Sequence, residues 1–352
     1  MQASSPHPGP SSPVPDDPDT GLAATLFRLG RWALPSVGDS PPAAMAPSLY
    51  GFVLQVSRRQ QVWLGLLTLA LLPLSLVPLE LQRRIVNDAV AHAELERLLS
   101  YGVLYLAVLL LQGGLKFLRD LYLHGVAEGV TRLLRLGIVG RGPDAGPDAR
   151  SNTGIDDGTR QAILSAESEK VGGFVAESIA LPLLQAGTVA TITAYMLAME
   201  PLVALVAIVF LAPSVTVVAL SQPVLNRLSR SKITVVRALG QAVLARPGEG
   251  APAATPTALV GRIYDLRLRF ASLKIATKSF NNLVNGLGLL SILLVGGWMA
   301  IEDRTEIGII VAFMSGYERM TGPVRDLLNF YRRQSMMRVQ YRLVADAFAT
   351  KD

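Results

Sequence analysis

The sequence predicts an all-α membrane protein, with six transmembrane helices and long cytosolic helical extensions. Three observations carry that expectation. Half of the 352 residues are hydrophobic and only 17% are charged, where a soluble domain averages about 25%. The apolar residues gather in long uncharged runs, and the mean hydropathy of the chain is +0.38. The basic residues, in turn, collect on alternate sides of those runs.

Taken in chain order, residues 1–47 are rich in Pro, Ser, Gly and Asp. Such a stretch buries too little apolar surface to offset its ordering entropy, so it is expected to be disordered. An apolar insert at Leu22–Leu34 reads equally as a short interfacial helix or as loose tail. Residues 48–350 form the membrane domain. A hydrocarbon core of about 30 Å needs roughly 20 helical residues. Five uncharged stretches meet that length: Val62–Leu79, Leu98–Leu115, Ser178–Met199, Pro201–Asn226 and Ser279–Ile301. A sixth, Ile307–Tyr317, suffices only if its helix continues through Glu318 and Arg319 to Leu328.

Lys and Arg flank the cytosolic ends of membrane helices. With the N-terminus in the cytosol, 29 of the 33 Lys/Arg fall inside and 4 fall outside. Both termini are therefore expected in the cytosol, in a multi-pass protein of the plasma (inner) membrane. The outer connections are short, at Met199–Pro201 and around Glu302–Glu306, with Pro201 suited to open a helix. The inner ones run from about Lys116 to Glu177 and from Arg227 to Lys278, and much of each reads as helix.

Composition narrows the function classes. There is no cysteine, hence no disulfide framework, thiolate nucleophile or cysteine metal site. His7, His92 and His124 lie far apart in no metal-ligand spacing. The net charge of +6 forms no basic stripe with interleaved aromatics, so the expected partner is the lipid bilayer and no nucleic acid.

Several strings resemble the transmembrane domain of ABC exporters. SLYGFVLQVSRRQQVWLGLLTLALLPLSLVPLELQRRIVNDAV, with its E-L-x-x-R-I-V-N-D-A stretch at Glu80–Ala89, resembles the start and first helix of a bacterial exporter subfamily. DGTRQAILSAESEKVGGFVAESIALPLLQAGTVATI is similar to the approach to helix three. KSFNNLVNGLGLLSILLVGGWMAI, then EIGIIVAFMSGYERMTGPVRDLLNFYRR, resemble helices five and six. The likeness spans roughly Ser48 to Phe348. It implies a dimer of transmembrane subunits, homo- or heteromeric, with helices four and five crossing to the partner. It also implies inner loops that dock on a nucleotide-binding ATPase subunit, through charged residues such as Asp156, Asp157, Arg160, Arg246 and Arg262.

The chain has no G-x-x-x-x-G-K-[ST] phosphate loop and no LSGGQ-like signature. No catalytic residue, cofactor or metal is expected within it; ATP and Mg would sit on the partner subunit. The chain is expected to end about where a fused exporter begins its linker to the ATPase. Two segments depart from the family pattern, GRGPDAGPDARSNTGIDDG and ARPGEGAPAATPTA, whose glycines and prolines break helix. They read either as mobile loop tips or as altered coupling surfaces. The runner-up readings are a transporter-derived scaffold or regulator that does not transport, and a fragment of a longer fused transporter.

Ionisable groups within a span face a bundle interior or an aqueous cavity. Glu318 and Arg319 lie about 17 Å along the helix from Ile307, and Arg325 shares a helical face with Glu318. With Asn281 and Asn285, these are the expected substrate-pathway residues; structural pairing between helices is the competing reading. Glu80, Arg83, Arg84 and Asp88 read either as an outer gate or as solvated interfacial charge. Gly286, Gly288, Gly296 and Gly297 are expected to let helices approach closely. Pro73, Pro78, Pro213 and Pro223 are expected to kink helices one and four.

Overall fold

The computed structural model describes residues 35, 37–38, 42, 45–140, 161, 163–244 and 255–348. Among these residues all regular structure is helical. Six long helices follow one another: α1 (Leu49–Arg84), α2 (Leu95–Val139), α3 (Ser168–Met199), α4 (Pro201–Leu244), α5 (Pro256–Ile301) and α6 (Ile307–Phe348). Helices α1 to α5 are long and apolar enough to cross a membrane; α6 is not among them. It nevertheless runs unbroken through Glu318 and Arg319 beyond Leu328. The tail at Leu22–Leu34 lies outside the described residues.

Local chemistry explains the helix ends. Ser48 caps α1, its Oγ accepting from the Gly51 amide at 3.0 Å. Thr255 caps α5 in the same way, ahead of Pro256 at the first helical position, where a missing N–H costs nothing. Between α3 and α4, Glu200 turns extended and Pro201 restarts the helix. The α5–α6 turn closes through Asp303, at φ 54°. From Ile85 to Val90 α1 continues as a π-helical turn before the chain reverses into α2. All three tight reversals lie at one end of the bundle, called here the hairpin end.

Prolines at 73 and 78 are predicted to kink α1, yet its break in helical dihedrals falls at Ser57 (φ −134°, ψ 24°). The Ser57 hydroxyl donates back to the Val53 carbonyl at 2.8 Å, a bond that competes with the helical ladder. Gln61 then donates both to Ser57 Oγ and, at 2.8 Å, to the Val175 carbonyl on α3. Pro78 is absorbed differently. It removes the amide that would bind the Leu74 carbonyl, and Gln112 on α2 donates to that carbonyl instead. Pro213 and Pro223 lie within an uninterrupted α4.

Two apolar cores hold the helices. At the hairpin end, Leu79, Ile192, Met196, Val203, Ala207, Ile292, Ile310, Phe313 and Tyr317 join α1, α3, α4, α5 and α6. At the opposite end α1, α2, α3 and α6 pack together, with Phe52 against Tyr341 at 5.4 Å and Phe174 stacked on Phe330 at 5.7 Å. Burial pushes the Tyr341 phenol up to about 12, so it stays protonated and donates to the Ala46 carbonyl. Among the described residues this second core contains none of α4 or α5. Those two helices make the most extensive pairing in the fold with each other. They join the other four mainly at the hairpin end.

Close approach is glycine-dependent at two of the four expected positions. Gly288 lies under the Tyr317 ring and Gly296 under Ile310, while Gly286 and Gly297 have open space beside them. A methyl group at 288 would sit 2.2 Å from the Tyr317 hydroxyl oxygen. Gly288→Ala is therefore expected to separate α5 from α6 and destabilise by about 1–3 kcal/mol. Gly286→Ala is expected to leave the melting temperature unchanged or raise it slightly, because alanine favours helix. Thermal unfolding of both variants in detergent checks the pair, and equal losses would contradict the packing.

Candidate functional site

Most of the described residues expected to carry function gather in two places along the bundle. The first is the hairpin end of α1, where residues 80, 83, 84 and 87 recur at helical spacing. Arg83 grips Glu80 with two bonds, 3.0 Å from Nε to Oε2 and 2.8 Å from a terminal nitrogen to Oε1. Arg84 Nε reaches the same Oε1 at 2.7 Å. From α3, the Tyr195 hydroxyl donates to Glu80 Oε2 at 3.1 Å. The other terminal nitrogen of Arg83 extends to Glu306, which precedes α6, at 3.1 Å. Asn87 bonds to Glu306 and accepts from the Gly308 amide at 2.7 Å.

One carboxylate thus collects three donors from two helices, and Arg83 bridges it to a third. The π-helical turn places Asn87 against Gly308, where an added Cβ would lie 2.4 Å from the Arg83 carbonyl. Of the four residues expected here, Glu80, Arg83 and Arg84 form one network. Asp88 stands apart, accepting from Tyr101 at 3.2 Å. Tyr195, Asn87 and Glu306 were not foreseen. For Asn87 the signal was present, seven residues from Glu80 on one helical face. Glu306 lies 219 residues from Asn87, with no local pattern linking them.

The second place lies between α4, α5 and α6. Asn281, Asn285, Ser214, Thr321 and Arg325 line a cavity of about 20 Å³, enough for a single water. Ser214 Oγ donates to Asn285 Oδ1 at 3.4 Å. Asn281 Oδ1 is buried with no hydrogen-bond partner. The structure therefore brings together Asn281, Asn285 and Arg325. Glu318, though on the same helical face as Arg325, is exposed and lines no part of this cavity. Arg319 turns to α1 and donates to the Ser75 carbonyl at 3.5 Å.

Arg262 is exposed on α5, past its apolar stretch. Asp156, Asp157, Arg160 and Arg246 lie outside the described residues, as does most of both glycine- and proline-rich segments. Among the described residues no group of three His, Asp or Glu is placed to hold a metal ion. No protein-family model matches the chain, and no curated protein matches it.

Glu80 is the hub of the hairpin-end network and Glu306 its rim: their side chains are 26% and 58% exposed. Glu80→Gln is expected to destabilise by about 1–3 kcal/mol, since it weakens several charge-assisted bonds in a partly desolvated place. Glu306→Gln is expected to change stability by less than about 1 kcal/mol, as exposed pairs do. Thermal melts of the two variants side by side test this ranking, and the reverse order would refute Glu80 as hub.

Proposed function

We propose that the chain is the membrane-spanning subunit of an ATP-driven transporter of the ABC exporter type. It works as a dimer, with ATP hydrolysed on a separate nucleotide-binding subunit, and moves a lipid, peptide or other amphipathic solute. The hairpin end faces outward, and both termini face the cytosol of a plasma (inner) membrane protein.

The observation that carries this reading is the separation of α4 and α5 from the other helices at the end opposite the hairpins. There the pair continues well past its apolar stretches as two long helices. Val243, Tyr264 and Ile275 on these extensions are 66%, 66% and 63% exposed. Apolar surface held in water costs about 25 cal/mol per Å², so extensions of this kind favour a cover. A second transmembrane subunit supplies one, in the crossing arrangement that the resemblance implies. The behaviour of α6 supports the same reading. It is too polar to face lipid, and its first turns are shielded, with Phe313, Tyr317 and Met320 fully buried.

Work in such a machine is mechanical. The nucleotide-binding subunit shifts the equilibrium between two arrangements only through its different affinity for each. The hairpin-end core, common to five helices, serves as the fixed part, and the separated inner ends as the moving part. Sealing of the outer face falls to the Glu80–Arg83–Glu306 network.

The absence of native cysteine makes single-cysteine probes clean. Tyr264→Cys in the full-length chain is expected to cross-link into a dimer with a bifunctional maleimide. Val103→Cys, 70% exposed on the apolar part of α2, is expected to remain monomeric. Purification from the native host in mild detergent is expected to bring down a polypeptide carrying a phosphate loop, with ATPase activity in the complex. A Tyr264→Cys monomer with no copurifying ATPase would remove the transporter reading and leave the scaffold.

A further inference from the structure

A polar cleft larger than the one at the expected pathway residues lies between α4 and α6, at the end opposite the hairpins. Its volume is about 660 Å³, within the range of small-molecule sites. Arg230 from α4 and Arg332 and Arg333 from α6 line it. One carboxylate, Asp326, also lines it and accepts from Gln185 at 3.1 Å. Arg333 is satisfied by Glu177 at 2.8 Å. The other two arginines are not neutralised. Arg230 has no side-chain partner among the described residues. Arg332 bonds Asn329 through one terminal nitrogen at 3.2 Å, while its Nε is buried without a partner.

An unpaired buried guanidinium nitrogen is unfavourable unless an acceptor completes it. Burial pulls the Arg332 guanidinium below its ordinary value, which a bound anion would offset. Position narrows the anion. The apolar stretch of α4 ends at Asn226, which itself lines the cleft with Ser229 and Arg230 one turn further on. The arginines therefore sit at the level where a lipid headgroup lies. Ile233 and Met336 supply apolar wall beside them. Guanidinium forks match phosphate oxygens in pairs, and basic pockets between membrane helices at the cytosolic face suit anionic headgroups.

We propose that the α4–α6 cleft binds the phosphodiester headgroup of an anionic membrane lipid, held chiefly by Arg230 and Arg332. The site rests on the placement of the helices in a bilayer and not on ATP-driven transport. Binding is measurable whether or not a nucleotide-binding partner exists.

The test is native mass spectrometry of the full-length chain in uncharged detergent, titrated with phosphatidylglycerol, phosphatidylcholine or inorganic phosphate. Phosphatidylglycerol is expected to bind roughly tenfold more tightly than phosphatidylcholine. Arg230→Gln and Arg332→Gln are each expected to erase most of that preference. Arg230→Gln breaks no internal bond, so its fold is not at risk. Arg267→Gln, exposed on α5 away from the cleft, is expected to retain the preference. Equal binding of the two lipids, or an unchanged preference in both cleft variants, would overturn the proposal. Displacement of the lipid by inorganic phosphate at matching concentration would also overturn it, pointing to a soluble phosphate compound.

Discussion

Contact with lipid tails is unfavourable for a helix that carries Glu318, Arg319, Arg325 and Asp326, and the bundle packs the apolar side chains of α6 inside while Glu318, Arg325 and Asp326 stay exposed. The first half of α6 is surrounded by α1, α3 and α5, with its large side chains in the hairpin-end core. Gly288 lets α5 approach closely enough to cover Tyr317. Arg319 is offered a carbonyl of α1 in place of water. By contrast the uncharged stretch of α2 at Leu98–Leu115, whose Val103 and Leu110 are 70% and 68% exposed, has the apolar surface that lipid tolerates.

The same constraint governs backbone groups, because nothing in hydrocarbon replaces a lost hydrogen bond. Pro78 would strand the Leu74 carbonyl, and Gln112 from α2 answers it. Ser57 breaks the helical path of α1, and Gln61 ties the break to α3. Both of these irregularities of α1 carry a side-chain to backbone bond between helices, which fixes the rotation of one helix against the next. α1, α2 and α3 are therefore keyed to one another as a unit. No equivalent tie joins α4 and α5 to that unit away from the hairpin end among the described residues. Relative motion, if the helices move, is cheapest there.

Helix number, order and hairpin positions were legible in the sequence, because uncharged runs and their Pro, Glu and Gly punctuation are local signals. The unbroken course of α6 was in the sequence only a condition for a sixth span, because its uncharged run stops at Tyr317. What was not legible depends on pairs far apart in the chain. The break in α1 at Ser57 rather than at its prolines needs Val175, which lies 114 residues from Gln61. Membership of the Glu80 network needs Glu306, and its Asp88 neighbour, though adjacent in sequence, turns away to Tyr101. Helical spacing alone placed Glu318 with Arg325. Packing separated them, because only Arg325 faces the gap left by Asn281 and Asn285.

The two ends of the molecule handle positive charge in opposite ways, and this links orientation to chemistry. At the hairpin end few arginines are present and most are used up: Glu80 engages Arg83 and Arg84, Glu94 pairs with Arg97 at 2.6 Å, and Glu302 with Arg304 at 3.0 Å. Carboxylates outnumber arginines there, so each of these guanidinium groups has an acidic partner and the excess charge is negative. At the opposite end arginines outnumber nearby carboxylates, and Arg230 and the Nε of Arg332 are left over. Excess positive charge is what holds a helix end on the cytosolic side of a bilayer. The anions of that leaflet are then the nearest available counter-charge. In the proposed orientation, the residues that set the topology are also those that a headgroup would meet first.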